Sequence, residues 1–121
     1  MDRRRLFARS PVRLACRVAA LLAAAAPLQA RAAEPVQLTL SNHRFQPEHV
    51  TVPAGERFRI ELTNQDDTTD EFESYDMKIE KIVVSGGKVA VMAGPLHPGT
   101  YKFFDDYHPD TAVGTITAEA K

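Results

Sequence analysis

Two short stretches of this 121-residue chain carry side chains that can do inorganic chemistry. Near the C-terminus, Asp105-x-x-His108 places a carboxylate and an imidazole in one tight loop. Imidazole ligates most borderline metals, and a carboxylate beside it favours harder ions such as iron. Earlier in the chain stands Asp70-Glu71-Phe72-Glu73-Ser74. If that stretch is extended, Glu71 and Glu73 share one face and Phe72 takes the other. Each residue also has a plainer reading. His108 precedes Pro109 and can simply fix a turn, and Asp105 can close a strand with an Asx turn. Glu71 and Glu73 can belong to a solvated acidic loop, the reading given to Asp66 and Asp67. Asp106 points away from Asp105 in a continuing strand, which suits solvent or support of a ligand.

Sulfur chemistry is nearly absent. The single cysteine is Cys16, so nothing beyond it can form a disulfide or offer a thiolate. Met77 and Met92 fall in strand-like segments and read as core filler. His43, His49 and His97 stand in turns or at strand starts and read as surface residues.

The elements that must position these groups are strands. Alternation of apolar and polar residues recurs in Val36–Leu40, His49–Val52, Phe58–Leu62, Met77–Val84, Val89–Met92, Thr100–Phe104 and Val113–Thr117. No segment sustains a helical period. Short strands divided by Gly, Pro, Asn and Asp turns predict an all-β Greek-key sandwich of about seven strands. Asn64–Asp76 and Asp105–Thr111 break the alternation where strands end, and binding residues concentrate in such loops. Truncation of Asp105 or His108 there is expected to remove metal binding while leaving the domain folded.

The two ends differ in charge. Seven of the fifteen basic residues lie within residues 1–31, followed from Val18 by an apolar run and then Ala30-Arg31-Ala32. This is the layout of a secretory signal peptide over residues 1–32, leaving a domain at 33–121. The apolar run is about half the ~20 residues a membrane span needs, so no membrane insertion is expected after cleavage. Without residues 1–32 the acidic count is 16 − 1 = 15 and the basic count 15 − 7 = 8, a net charge of 8 − 15 = −7. Such a domain is unsuited to nucleic acid and suited to cations.

Phe45-Gln46-Pro47-Glu48-His49-Val50-Thr51-Val52-Pro53-Ala54-Gly55-Glu56 resembles the first half of a cupredoxin, and Pro98–Phe104 with Gly114–Thr117 resembles its last two strands. The resemblance covers residues 34–121. In blue-copper members the last loop runs Cys-x-x-His and then Met; the matching residues here are Asp105, His108 and Ala112. The earlier histidine ligand would fall within Asp70–Ser74, where carboxylates stand instead. Without a thiolate, blue-copper electron transfer is not expected.

Glu71-Phe72-Glu73-Ser74, Glu80-Lys81 and Phe103–His108 further resemble the cupredoxin-like periplasmic component of bacterial ferrous-iron uptake systems, a domain also found in related iron-uptake lipoproteins. That resemblance implies a periplasmic protein that binds Fe(II) through Asp105, His108 and Glu71 or Glu73. It also implies ferroxidase-type oxidation to Fe(III), with Asp105 and His108 at the reacting centre. The partners it implies are a periplasmic iron-binding protein and an inner-membrane iron permease. Copper is the second metal to consider. The rival reading is a non-enzymatic carrier of copper(II) or another divalent ion on the same residues.

Overall fold

The structure, a computed structural model, describes residues 20, 22–27 and 34–121. The segment read as a signal peptide lies almost wholly outside the described residues. No helix among the described residues is long and apolar enough to cross a membrane.

Nine strands form two sheets. They are β1 (Val36–Ser41), β2 (Arg44–Gln46), β3 (His49–Pro53), β4 (Phe58–Asn64), β5 (Asp70–Ser74), β6 (Ile79–Val83), β7 (Lys88–Ala93), β8 (Gly99–Phe104) and β9 (Val113–Glu119). The four-stranded sheet runs β2-β1-β4-β7 and the five-stranded sheet β3-β9-β8-β5-β6. β1 pairs with β4, and β3 with β9, in parallel; the other pairings are antiparallel.

Period-two alternation explains the packing. Leu38, Leu40, Ile60 and Leu62 point inward from one sheet, and Phe72, Val83, Phe103 and Ile116 from the other. Three phenylalanines lock the centre: Phe45 lies edge-on to Phe103 at 4.9 Å, and Phe103 stacks on Phe72 at 5.1 Å. Burying each such side chain stabilises the fold by about 1.5–3 kcal/mol. Phe103 needs room, and Gly114 on the neighbouring strand supplies it. A Cβ at Gly114 would press into the Phe103 ring and come within 2.6 Å of the Glu48 carbonyl oxygen.

The predicted strands are all present, with two more. β2 is three residues long, too short for alternation to register. β5 lies inside the stretch read as an acidic loop, because paired carboxylates conceal its period. Met77 belongs to the turn before β6 rather than to the strand, although it packs against the core. Met92 alternates outward from β7 and is half exposed, so it does not fill the core.

Candidate metal centre

The last loop folds back on itself through its own backbone. Asp105 N–H donates to the Ala112 carbonyl at 2.9 Å, and Ala112 N–H donates to the His108 carbonyl at 2.9 Å. This small closed turn holds the His108 ring over the end of the sandwich. Asp105, following β8, turns inward and is fully buried. Its Oδ1 accepts the Glu71 and Tyr107 amides, each at 3.0 Å. Its Oδ2 lies 3.1 Å from His108 Nδ1.

Asp70, at the start of β5, reaches the same point from the neighbouring strand and is equally buried. Its Oδ1 accepts the Thr68 hydroxyl at 3.1 Å and lies 3.2 Å from His108 Nδ1. Its Oδ2 is buried with no hydrogen-bond partner. Burial, and then the charge of Asp105, push the Asp70 carboxyl above its ordinary value. Among the described residues no lysine or arginine pairs with either carboxylate.

The fourth group is His43, read from sequence as a surface residue. It sits in the β1–β2 turn, where Asn42 and His43 both adopt left-handed backbone, with φ of 52° and 55°. Asp66 holds that turn, its Oδ1 accepting the Asn42 amide at 2.7 Å and its Oδ2 the His43 amide at 3.0 Å. Asp66 is therefore a positioning group and not a merely solvated loop carboxylate. Asp66 is itself fixed by Asn64, whose Oδ1 accepts the Asp66 amide and whose Nδ2 donates to the Thr68 carbonyl at 2.8 Å. The result is that the His43 and His108 rings stack, centroids 3.7 Å apart and 18° from parallel. His43 Nδ1 is buried without a hydrogen bond.

One donor atom from each of His43, Asp70 and His108 lies within 4.8 Å of the others. Donors bound to one ion at about 2.0–2.2 Å stand roughly 3 Å apart, matching the separations of His108 from Asp70 and Asp105. Two buried carboxylates that share the single His108 imidazole and have no lysine or arginine beside them among the described residues, together with the unpartnered His43 Nδ1 and Asp70 Oδ2, fit a bound cation. Two imidazoles with one carboxylate and open positions are a donor set that suits Fe(II).

Glu71 and Glu73 go elsewhere. Phe72 points into the core and Asp70 and Ser74 share its face, so alternation sends Glu71 and Glu73 to the other side of β5. There they meet Asp106, with one carboxylate oxygen from each of the three within 4.8 Å of the others. Burial, the contact with Glu80 and the charges of Glu73, Glu80 and Asp106 push the Glu71 carboxyl up to about 7. The Glu73 carboxyl is raised by desolvation and by Asp106 and Glu80. The single set of Asp105, His108 and a glutamate expected from sequence is thus divided between two faces of one strand. Asp70 and His43 join Asp105 and His108. Asp70 had its signal in the Asp70–Ser74 window; His43 had none, because it comes from a turn far away in the chain.

Two strand-paired sheets with a ligand-bearing loop at one end define a cupredoxin-type sandwich. The cupredoxin-like domain family matches residues 14–118, and the chain belongs to that family. Among solved structures, auracyanin A of Chloroflexus aurantiacus superposes with a TM-score of 0.63 at 13% identity, covering 71% of this chain and 98% of that one. A purple cupredoxin from Nitrosopumilus maritimus gives 0.55 at 19% identity, covering 69% and 99%. At such identities the likeness concerns the fold. A Rickettsia prowazekii protein, "Uncharacterized protein RP394", is 43% identical over 81 residues, which are 67% of this chain and 65% of that protein.

Proposed function

We propose that this chain is an exported, periplasmic accessory of ferrous-iron uptake. It takes Fe(II) as its substrate at His43, Asp70 and His108, with Asp105 beside them. The observation that carries the reading is the fully buried Asp70 carboxylate, whose Oδ2 has no partner and lies beside two imidazoles. A carboxylate so placed costs several kcal/mol unless a cation compensates it.

The chain's residues define what happens next. Oxygen donors favour Fe(III) over Fe(II), so two carboxylates at the centre ease the loss of one electron from the iron. That electron passes to dioxygen or to a one-electron carrier in the periplasm. Asp105 keeps the His108 ring turned inward, and Asp66 does the same for the His43 turn. The oxidised ion then passes to a periplasmic iron-binding partner and an inner-membrane permease.

The test is calorimetric titration of anaerobic Fe(II), followed by oxygen uptake on admitting air. Wild-type protein is expected to bind and to speed oxygen uptake. Asp70→Asn and His108→Ala are each expected to weaken binding by at least about tenfold, the scale set by losing a metal-site contact. A second reading has the same support from the imidazole pair: nitrogen and oxygen donors bind copper(II) more tightly than iron. Tight copper(II) binding with no Fe(II) turnover would make the protein a copper or divalent-metal carrier. Auracyanin A is described as a "blue" copper protein; here Asp105 in place of the thiolate argues against that colour and that role.

A further inference from the structure

We propose that Asn64 is a positioning residue for the metal centre. Its buried side-chain amide hangs the loop after β4 so that one part of the loop aims His43, and another aims Asp70, at the same ion. The proposal rests on the reading of His43, Asp70 and His108 as one donor set. Asn64 bonds to none of the three and acts only through the loop.

Asn64 ends β4 and is fully buried. Its backbone is fixed first. Its N–H donates to the Gly87 carbonyl at 2.9 Å, and the Gln65 N–H donates to the Leu40 carbonyl at 2.8 Å. The side chain then ties two segments together. Oδ1 accepts the Asp66 amide at 2.9 Å. Nδ2 faces three carbonyls, those of Thr68 at 2.8 Å, Val83 at 3.2 Å and Val84 at 3.3 Å. Thr68 lies in the loop, whereas Val83 ends β6 and Val84 follows it. Two arms run from this anchor. Asp66 accepts the Asn42 and His43 amides and so sets the His43 ring on His108. The Asp66 carbonyl is held in turn by the Ser85 hydroxyl at 2.8 Å. Thr68 gives its hydroxyl to Asp70 Oδ1 at 3.1 Å, which leaves Oδ2 as the oxygen free for an ion.

The position demands an amide. One atom must accept an N–H while its neighbour donates to carbonyls, and asparagine does both from a short side chain. Aspartate would set a carboxylate oxygen against three carbonyl oxygens. Leucine, of similar size, would leave the Asp66 amide and the carbonyls unpaired. Buried groups without partners are costly, so the loop shifts to satisfy them and both arms shift with it.

Copper(II) is the probe, because it binds imidazole tightly and its paramagnetic resonance spectrum counts nitrogen donors. Wild-type protein with less than an equimolar amount of copper(II) is expected to show two imidazole nitrogens. Asn64→Asp is expected to weaken copper binding by at least about tenfold and to leave one nitrogen, as His43→Ala does. In the His43→Ala background the same change is expected to cost less, because one arm has nothing left to aim. Two milder variants carry the test if Asn64→Asp does not fold. Asp66→Ala is expected to lose one nitrogen. Thr68→Val is expected to keep both but bind more weakly, with Thr68→Ser restoring affinity. A wild-type spectrum with fewer than two nitrogens would bring down the donor set and this proposal with it. Two nitrogens that persist at unchanged affinity in Asn64→Asp and Asp66→Ala would overturn the positioning role alone. Fully additive losses with His43→Ala would overturn it too, by marking the effect as general destabilisation.

Discussion

Asp105 is held from three directions. A strand-end loop residue is normally tolerant of truncation, and that expectation does not hold here. Asp105 is fully buried, accepts two backbone amides and faces His108. Asp105→Ala would leave the Glu71 and Tyr107 amides without partners, at about 1–3 kcal/mol for each. The expected outcome is loss of stability as well as of metal binding, read as a lower urea midpoint. Asp105→Asn keeps an acceptor for the amides and removes the charge. It should recover most of the stability while binding remains weak. His108, partly exposed at the loop surface, should lose binding on truncation with little change in midpoint. Equal midpoints for the Ala and Asn variants of Asp105 would contradict this division.

β5 is the element on which both clusters depend, and its carboxylates give the metal-free protein a particular pH response. The Glu71 carboxyl is raised from 4.5 to about 7 in the folded chain, chiefly by burial. Below the unfolded value both states hold the proton, and the contribution to stability is fully present. As pH rises, the unfolded chain releases the proton more readily, and the contribution is lost as pH passes through about 7. Asp70, raised by burial and by Asp105, acts in the same direction. Metal-free protein should therefore show a falling urea midpoint from about pH 4.5 to pH 7.5, and Glu71→Gln should flatten the slope. A midpoint that rises over this window would show that Glu71 ionises freely in the fold. β9 contributes a different constraint. Gly114 lies under the Phe103 ring, and Gly114→Ala should destabilise the sandwich by about 1–3 kcal/mol through overpacking. Thermal melts of the metal-free protein measure it.

At the scale of the whole molecule, the domain has no disulfide to hold it, since Cys16 is the only cysteine. Its stability comes from the core between the sheets and, in the functional reading proposed above, from a bound ion. An ion that binds only the folded state at a hundred times its dissociation constant adds about 2.7 kcal/mol. For a domain of this size that raises the melting temperature by roughly 10–20 °C. Anaerobic Fe(II) should produce such a rise in wild-type protein and not in Asp70→Asn. A uniform rise in both would mark the effect as non-specific. The excess of carboxylates beyond residue 32 acts in the same sense, drawing cations toward a domain of net charge 8 − 15 = −7.

The all-β class was legible from the sequence because alternation reports directly on which side chains can face a core. The seven strands with clean alternation all appear, β6 beginning at Ile79 where the alternation was read from Met77. The Asp105-x-x-His108 pair was legible for a similar reason: two ligand types three residues apart in a turn need no tertiary information to meet. β5 was hidden, because both its faces are polar in part and its period is masked by carboxylates. Only tertiary structure decided the rest. Glu71 and Glu73 were separated from His108 by the side of β5 on which Phe72 had to enter the core. His43 was brought to the site from the β1–β2 turn by the Asp66 carboxylate, across a sequence separation of 23 residues. Local pattern carries the faces of a strand but not which strand becomes its neighbour. The metal donors here are assembled by that neighbour choice, through the pairing of β1 with β4 and of β5 with β8.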